Sequence, residues 1–279
     1  MQQTPRYSSR LGRPLYVLSL FVCAGTGVGC AVGKVAPGAF VVCVAWQLGL
    51  TLLGNFVFST GIFGKVLLSG PQDKPVVALT FDDGPDEVTT PRVLEVLEKH
   101  GAKATFFVMG QKAEQCPQLV ARLTACGHQI ENHSHRHSWG TAFFRASTLV
   151  RELSQATRAI VSAGAKTPHY FRPPAGILSP PIAAAARTHG LTLCGWSKKA
   201  RDGWKGVTVE QAVGRLSSAL RPGAILLLHD AWERPDERRT PIAPLVLERL
   251  LPMLAERGLS AVTLHELLDR GPGPEHDGS

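Results

Sequence analysis

A chain of 279 residues and 30.0 kDa has room for one substantial domain and an appendage. Five basic residues and no acidic residue precede Asp73, so that segment supplies +5 of the formal net charge of +8 and leaves +3 for the rest. This distribution is typical of a basic membrane flank, and we predict no nucleic-acid partner. The six cysteines lack a CxxC spacing and indicate neither a disulfide framework nor a cysteine zinc site.

Residues 1–70 are predicted to form a basic N-terminus and two transmembrane helices. Two uncharged stretches of 19 and 30 residues, 15–33 and 35–64, lie in this segment. About 20 apolar residues cross the hydrocarbon core of a bilayer, so spans at about 15–32 and 39–59 are expected. We therefore expect a multi-pass protein of the cell (inner) membrane.

Two alternatives to the spanning pair stay open. The first stretch resembles a cleaved signal peptide with Arg13 as its basic flank, and the two stretches could also form a buried helical pair of a soluble protein. The spacing of Gly25, Gly29 and Gly33 favours a membrane hairpin, because small residues on one face allow close approach of helices. Three arginines before the first span favour a cytoplasmic N-terminus and return the rest of the chain to that side. Cleavage of the first stretch, or an interfacial second stretch, would place the domain outside.

Residues 74–268 alternate strand-like and helix-like segments, which predicts an α/β domain. The predicted strands are 76–81, 104–109, 128–132, 169–172, 191–196, 224–228 and 260–263. The predicted helices are 90–100, 117–125, 148–163, 179–189, one that begins with a capping box at Thr208, and 241–257. The tail, 271–279, is rich in glycine and polar residues and is predicted to be disordered.

Polar side chains follow several of the predicted strands. They are Asp82 and Asp83, the histidines of 133–137, Arg172, Asp202 and His229. In a barrel of parallel strands the carboxyl ends converge on one face, so these residues are expected to share a cleft. An isolated Asp-Asp-Gly would more simply be a solvated turn, but the clustering favours a site. Because side chains alternate along a strand, the two adjacent aspartates should take different roles.

The histidines of 133–137 predict a metal site. His133 and His137 are four residues apart, so a helical turn would place them on one face beside a carboxylate, a set suited to a divalent metal. If the segment is extended, His133, His135 and His137 would share a face instead. The spacing leaves both ligand sets open.

Five segments, in order, resemble the motifs of the polysaccharide deacetylase family, also called the NodB-homology domain or carbohydrate esterase family 4. They are Thr80-Phe81-Asp82-Asp83-Gly84, His133-Ser134-x-x-His137, Arg172-Pro173-Pro174-x-Gly176, the segment with Asp202 and Trp204, and Leu226-Leu227-Leu228-His229-Asp230. The resemblance covers about 75–268. It implies a distorted (β/α) barrel, here preceded by the transmembrane pair, and metal-dependent hydrolysis of an acyl group, usually acetyl, from a sugar.

The resemblance also implies roles for individual residues. Asp83, His133 and His137 would ligate the metal, which is typically zinc and sometimes cobalt or another divalent ion. Asp82 would be the general base and His229 the general acid.

Two further residues would act through these catalytic groups. Arg172 would hold Asp82 ionised, and a structural salt bridge is compatible with that role. Asp202 would orient and charge His229.

Substrate contacts are expected from Trp204, Leu227 and Ala175. Leu227 and Trp204 would form an acetyl pocket, while Ala175 stands where the family usually has an aromatic residue and would offer its backbone N–H to the oxyanion. The fourth motif also departs from the family pattern: Lys199 replaces an acid and Gly203 is inserted.

We therefore predict a metal-dependent hydrolase that removes an acyl group, in particular N-acetyl, from a cell-envelope polysaccharide or peptidoglycan. The bond that it hydrolyses is predicted to be a carbon–nitrogen (amide) bond other than a peptide bond. One alternative is a deacetylase or deformylase of a lipid-linked amino sugar, which the membrane hairpin would suit. Others are a catalytically silent carbohydrate-binding relative and a small-amide hydrolase.

Overall fold

The computed structural model describes residues 4–138, 140, 144–232 and 241–268. The predicted tail, 271–279, lies outside them. Strand β1 (Arg6–Tyr7) precedes helices α1 (Gly12–Ala31) and α2 (Pro37–Phe56). Each helix is 20 residues long and apolar enough to cross a membrane. No described residue of α1 is buried and α2 buries only Gly54, which argues against the core helices of a soluble protein.

Helices α1 and α2 contact each other through polar pairs and through a glycine outside the predicted face. The Tyr16 and Thr51 hydroxyls lie 3.0 Å apart, and the Ser19 hydroxyl donates to Gln47 Oε1 at 2.8 Å. A Cβ at Gly27 of α1 would come within 2.9 Å of the Phe40 side chain of α2, whereas one at Gly25 or Gly33 would meet nothing within 4 Å and one at Gly29 would meet Val35, which precedes α2. The predicted three-glycine contact face is therefore wrong, because α1 approaches α2 at Gly27 and Gly33 lies beyond the end of α1.

The rest of the chain forms a curled sheet flanked by helices. The remaining strands are β2 (Val66–Ser69), β3 (Val76–Asp82), β4 (Thr105–Val108), β5 (Gln129–Asn132), β6 (Tyr170–Phe171), β7 (Thr192–Cys194), β8 (Lys198–Lys199), β9 (Ile225–His229) and β10 (Ser260–Val262). The remaining helices are α3 (Thr89–Lys99), α4 (Gly110–Gln115), α5 (Pro117–Ala125), α6 (Ala146–Ser162), α7 (Pro180–Thr188), α8 (Val209–Ser217), α9 (Ala243–Glu256) and α10 (Leu264–Leu267).

The sheet order is β1-β2-β7-β6-β5-β4-β3-β9-β8, with β10 pairing the start of β3. All of these pairings are parallel except β1–β2. The sheet curls far enough for an antiparallel bridge to join Ser69, at the end of β2, to Ala224, before β9. The Gly70 N–H also donates to the Gly223 carbonyl at 2.8 Å. This partial closure makes the barrel distorted, as predicted.

Strand β3 shows how the sequence positions the site. Leu79 and Phe81 point to the helix-covered core, so Thr80 and Asp82, which alternate with them, face the barrel interior. In the parallel register Asp82 lies opposite His229 of β9. Polar residues at the ends of two strands that are far apart in sequence therefore meet at the carboxyl edge of the sheet.

The capping box predicted at Thr208 is present at the start of α8 with Gln211 as its return partner, and α10 begins with a second capping box formed by Thr263 and Glu266. Thr90, which begins the predicted helix 90–100, does not cap α3, since that helix begins at Thr89 and the Thr90 hydroxyl donates to Asp230 Oδ2 at 2.6 Å. The Asp86 carboxylate instead accepts from the Val88 and Thr89 N–H groups at 3.1 and 2.7 Å. Sequence patterns did not predict β1, β2, β8 or α4.

Candidate active site

Asp83, His133 and His137 lie together at the carboxyl edge of the sheet, each offering one ligand atom within 4.8 Å of the others. Asp83 Oδ1 is 3.3 Å from His133 Nε2 and 3.2 Å from His137 Nε2. Donor atoms about 2.0–2.1 Å from a tetrahedral zinc ion lie about 3.3 Å apart. The three side chains thus have the spacing of a metal site.

The surroundings of these three residues also suit a cation. Asp83 Oδ1 is buried and accepts no well-formed hydrogen bond from the described residues. Burial raises the pKa of Asp83, but its interactions with His133 and His137 outweigh burial and hold the pKa well below its usual range. The His133 Nδ1 atom lies 2.8 Å from the Arg172 carbonyl, the kind of outer contact that fixes the orientation of a metal-ligating imidazole. The donor set therefore fits a divalent ion.

His135 lies apart from this cluster. Its Nε2 is 3.9 Å from Glu114 Oε2, and a Cβ at Gly110 would come within 2.5 Å of its Nδ1. The side chain is directed towards α4 rather than Asp83, so the geometry does not support the three-histidine alternative.

Asp82 is held by a fully buried arginine, Arg172. The Arg172 side chain has no exposed surface, and its Nη1 donates to Asp82 Oδ1 at 2.7 Å and to the Thr80 hydroxyl at 2.9 Å. Its Nη2 donates to the Gly195 carbonyl at 2.8 Å, and the guanidinium stacks 4.0 Å from the centre of the Phe107 ring. A buried arginine with this many acceptors fixes the Asp82 carboxylate in position.

Asp202 binds His229 at two points. Its Oδ1 lies 2.8 Å from His229 Nδ1, and its Oδ2 accepts from the His229 backbone N–H at 2.8 Å. Burial lowers the pKa of His229, but the charge and hydrogen bond of Asp202 outweigh burial and raise the pKa to about 10. The imidazole side chain stays 22% exposed, so a charged proton donor faces the cleft.

The loops of this edge carry an unusual backbone. Within the described part of the chain, five residues other than glycine have positive φ: Asp83, Ser134, His137, Ala175 and Arg201. Each belongs to one of the four segments that bear Asp83, the histidines, Arg172 and Asp202. Non-glycine residues in the left-handed region cost free energy and cluster at functional sites, which supports a site at this edge.

The expected substrate residues lie at different depths. Leu227 is only 3% exposed and sits opposite Thr80, below His229, whereas Trp204 is 55% exposed with Arg201 4.7 Å from its ring centre. Ala175 is exposed on a short 3₁₀ turn, Pro174–Gly176. The structure thus separates Leu227 from Trp204 in depth, and a shared acetyl pocket stays a prediction.

Two residues of this edge were not predicted. The Lys112 ammonium donates to the Asp83 and Trp232 carbonyls, each at 2.6 Å, and ties the first motif to the fifth. Asp230 lies under Gly84, where any added Cβ would come within 2.2 Å of Asp230 Oδ2, and burial raises the pKa of Asp230 to about 7. A lysine at the start of a short helix looks solvated in a sequence, so no pattern could have indicated Lys112.

The family model for polysaccharide deacetylases matches residues 69–194. A chitooligosaccharide deacetylase of Sinorhizobium fredii is 38% identical over 191 residues, which cover 66% of this chain and 87% of that protein. The chain belongs to the polysaccharide deacetylase family. This confirms the predicted family, its barrel and its class of hydrolase.

Two further members of the family show the range of the similarity. A peptidoglycan-N-acetylglucosamine deacetylase of Bacillus cereus is 33% identical over 207 residues, covering 74% of this chain and 93% of that protein. A family 4 acetyl xylan esterase of Clostridium thermocellum, solved with a cobalt ion, aligns with a TM-score of 0.61 at 35% identity. That alignment covers 69% of this chain and 89% of the esterase.

Proposed function

We propose that this protein is a metal-dependent deacetylase that hydrolyses N-acetyl groups of a cell-envelope polysaccharide or peptidoglycan. The observation that carries the proposal is the joint placement of a metal-type cluster, a buried carboxylate and a charged imidazole at one edge of the barrel. The named relatives act on chitooligosaccharides and on peptidoglycan. A catalytically silent relative would lack one of these groups, and none is missing.

Asp83, His133 and His137 would hold the ion, for which we propose zinc, with cobalt as a substitute. When bound, a divalent ion supplies Lewis acidity, which lowers the pKa of water and polarises an acyl oxygen. Two neutral imidazoles and one carboxylate are ligands that zinc accepts in catalytic sites with an open position.

Asp82 and His229 would divide the proton transfers. Asp82, fixed by Arg172, takes the proton from the attacking water as general base. His229 is charged beside Asp202 and donates a proton to the leaving nitrogen, so that the sugar departs as a neutral amine. Asp82 and His229 are partners in the β3–β9 register, so both side chains would reach an acyl group bound at this edge of the sheet.

The Asp202→Asn variant tests whether Asp202 keeps His229 protonated as the general acid. Without the carboxylate charge the pKa of His229 falls towards its ordinary value of about 6.5, because burial alone lowers it. A group with a raised pKa stays protonated until the pH passes that value, so the alkaline limb of kcat/KM should move to lower pH. We expect about a 10²-fold loss of kcat/KM at pH 8, within the range of general-acid contributions.

The matched control is Glu210→Gln, which removes an exposed carboxylate paired with Arg249 at 2.8 Å. Its pH profile should overlay the wild type. An unshifted alkaline limb in Asp202→Asn would show that Asp202 does not charge the catalytic acid.

Acetate release from purified full-length protein tests the activity itself. Fully acetylated chitooligomers and peptidoglycan fragments should be deacetylated, a chelator should reduce turnover to background, and added zinc or cobalt should restore it. Turnover that is insensitive to the chelator, or no turnover with any acylated sugar, would contradict the proposal.

A lipid-linked amino sugar is the second candidate substrate, and the docking of α2 favours it. The Asn55 carbonyl near the end of α2 accepts from the Leu178 N–H at 2.9 Å, just after the motif with Arg172. Phe58 lies 5.2 Å from Trp196, ring centre to ring centre, and Trp196 contacts the Gly176 backbone region. The third motif therefore lies close to the end of an apolar helix that we propose spans the membrane.

The membrane side separates the two substrates. We propose that α1 and α2, within the predicted segment 1–70, anchor the domain at 74–268 to the inner membrane as a two-span hairpin, while β1 and β2 of that segment join the sheet of the domain. A reporter fused after Ser279 that is active only in the cytoplasm would favour the lipid-linked precursor, and one active only outside would favour the polymer. Extraction of the protein by alkaline carbonate would contradict the spanning hairpin.

A further inference from the structure

A second group of potential ligands lies at the opposite end of the barrel. A cavity of about 770 Å³ opens there, beside the amino ends of β3 and β5 and the start of α10. Three of its lining residues are Glu131, His169 and His265. Their candidate ligand atoms lie within 4.8 Å of one another.

Strand β5 connects this cavity to the catalytic edge. Ile130 packs in the core under the helices, so Glu131 faces the barrel interior, as does His133 two residues later. Two residues along a strand advance about 6.5–7 Å. The same strand therefore presents one ligand to each end of the barrel.

The Glu131 carboxylate is held firmly, and one oxygen faces the histidines. Its Oε2 accepts from the His169 and Tyr170 backbone N–H groups at 2.7 and 2.6 Å. Its Oε1 accepts from Gln129 Nε2 at 2.5 Å and lies 3.9 Å from His265 Nε2. Anchored carboxylates of this kind are typical of metal ligands supported by outer hydrogen bonds.

The Gln129 side chain links two of the three residues, Glu131 and His265. Its Oε1 accepts the His265 backbone N–H at 2.9 Å while its Nε2 binds Glu131. The His169 and His265 rings stand edge to face, with centres 5.0 Å apart. Three chain segments far apart in sequence thus direct two imidazoles and one carboxylate to the same point.

We propose that Glu131, His169 and His265 form a second binding site for a divalent transition-metal ion of the zinc class. Two histidines and one carboxylate are a preferred ligand set for such ions, and the cavity leaves open coordination positions. The 3.9 Å between Glu131 Oε1 and His265 Nε2 is longer than a hydrogen bond, which would close to about 2.7–3.2 Å. His265 is 20% exposed on the short helix α10, so its ring can move the few tenths of an ångström that coordination needs.

Metal content of the full-length protein tests this site. Protein stripped with chelator and dialysed against micromolar zinc should bind two equivalents, read by atomic absorption. His265→Ala and His137→Ala should each bind one equivalent, and the double variant none. Zinc should still raise the melting temperature of His137→Ala, because the second ion joins α10 to β5, and should not raise that of the double variant.

His189→Ala is the matched control, since His189 is a half-buried histidine outside both clusters with its Nε2 2.9 Å from the Val150 carbonyl. It should bind two equivalents. If His265→Ala does not fold, His265→Asn and His169→Ala replace it and carry the same expectation. One equivalent in the wild type, or two in His265→Ala, would overturn the second site without touching the catalytic proposal, which depends on His137.

Discussion

Asp82→Asn is expected to keep the wild-type zinc content and to lose about 10²- to 10⁴-fold in kcat, the usual contribution of a general base. The amide cannot take a proton from water, but its oxygen can still accept from Arg172 Nη1, which now lies 2.7 Å from Asp82 Oδ1. Because Asp82 is not among the three clustered ligand atoms, metal binding should persist. Acetate release and metal content, measured on the same preparation, check both parts.

The choice of asparagine keeps this test separate from unfolding. Arg172 is fully buried, and removing the only carboxylate bound to it in the described structure would leave an unpaired charge at a cost of about 3–5 kcal/mol. Asparagine also removes the charge, but it preserves shape and one acceptor for Arg172, so we expect a folded variant that melts below the wild type and still binds zinc. Glu95→Gln, an exposed change on α3, should alter neither quantity. Near-normal turnover in Asp82→Asn would show that another group is the general base. Loss of zinc would show that Asp82 is a metal ligand.

Local patterns predicted most of the barrel because they are set by local physics. Strand β3 and helix α5 follow from a run of apolar residues and from a proline start with a glycine stop, and neither needs a distant partner. Strand β2 was missed because it is only four residues long, and its short apolar run follows Lys65 directly after the long apolar segment that contains α2. The closing bridge between Ser69 and Ala224 joins residues far apart in sequence and has no local signal.

The histidine segment shows where periodicity stops being informative. A helical repeat would have selected His133 and His137, and an extended repeat would have added His135. Ser134 and His137 instead adopt φ values of 65° and 52°, which belong to neither repeat. The left-handed turns rotate His137 towards Asp83 and leave His135 beside Glu114. Only the folded backbone distinguishes the two ligand sets.

The paired variants His133→Ala and His135→Ala test which of the two ligand sets binds the metal. His133→Ala should bind one equivalent of zinc fewer than the wild type and release acetate only at background, because His133 Nε2 lies 3.3 Å from Asp83 Oδ1. His135→Ala should keep the wild-type zinc content and most of the activity, since His135 is directed to α4. Both side chains are buried on one loop, so loss of packing is matched between them. Loss of zinc in His135→Ala with full zinc in His133→Ala would replace the proposed ligand set with one that includes His135.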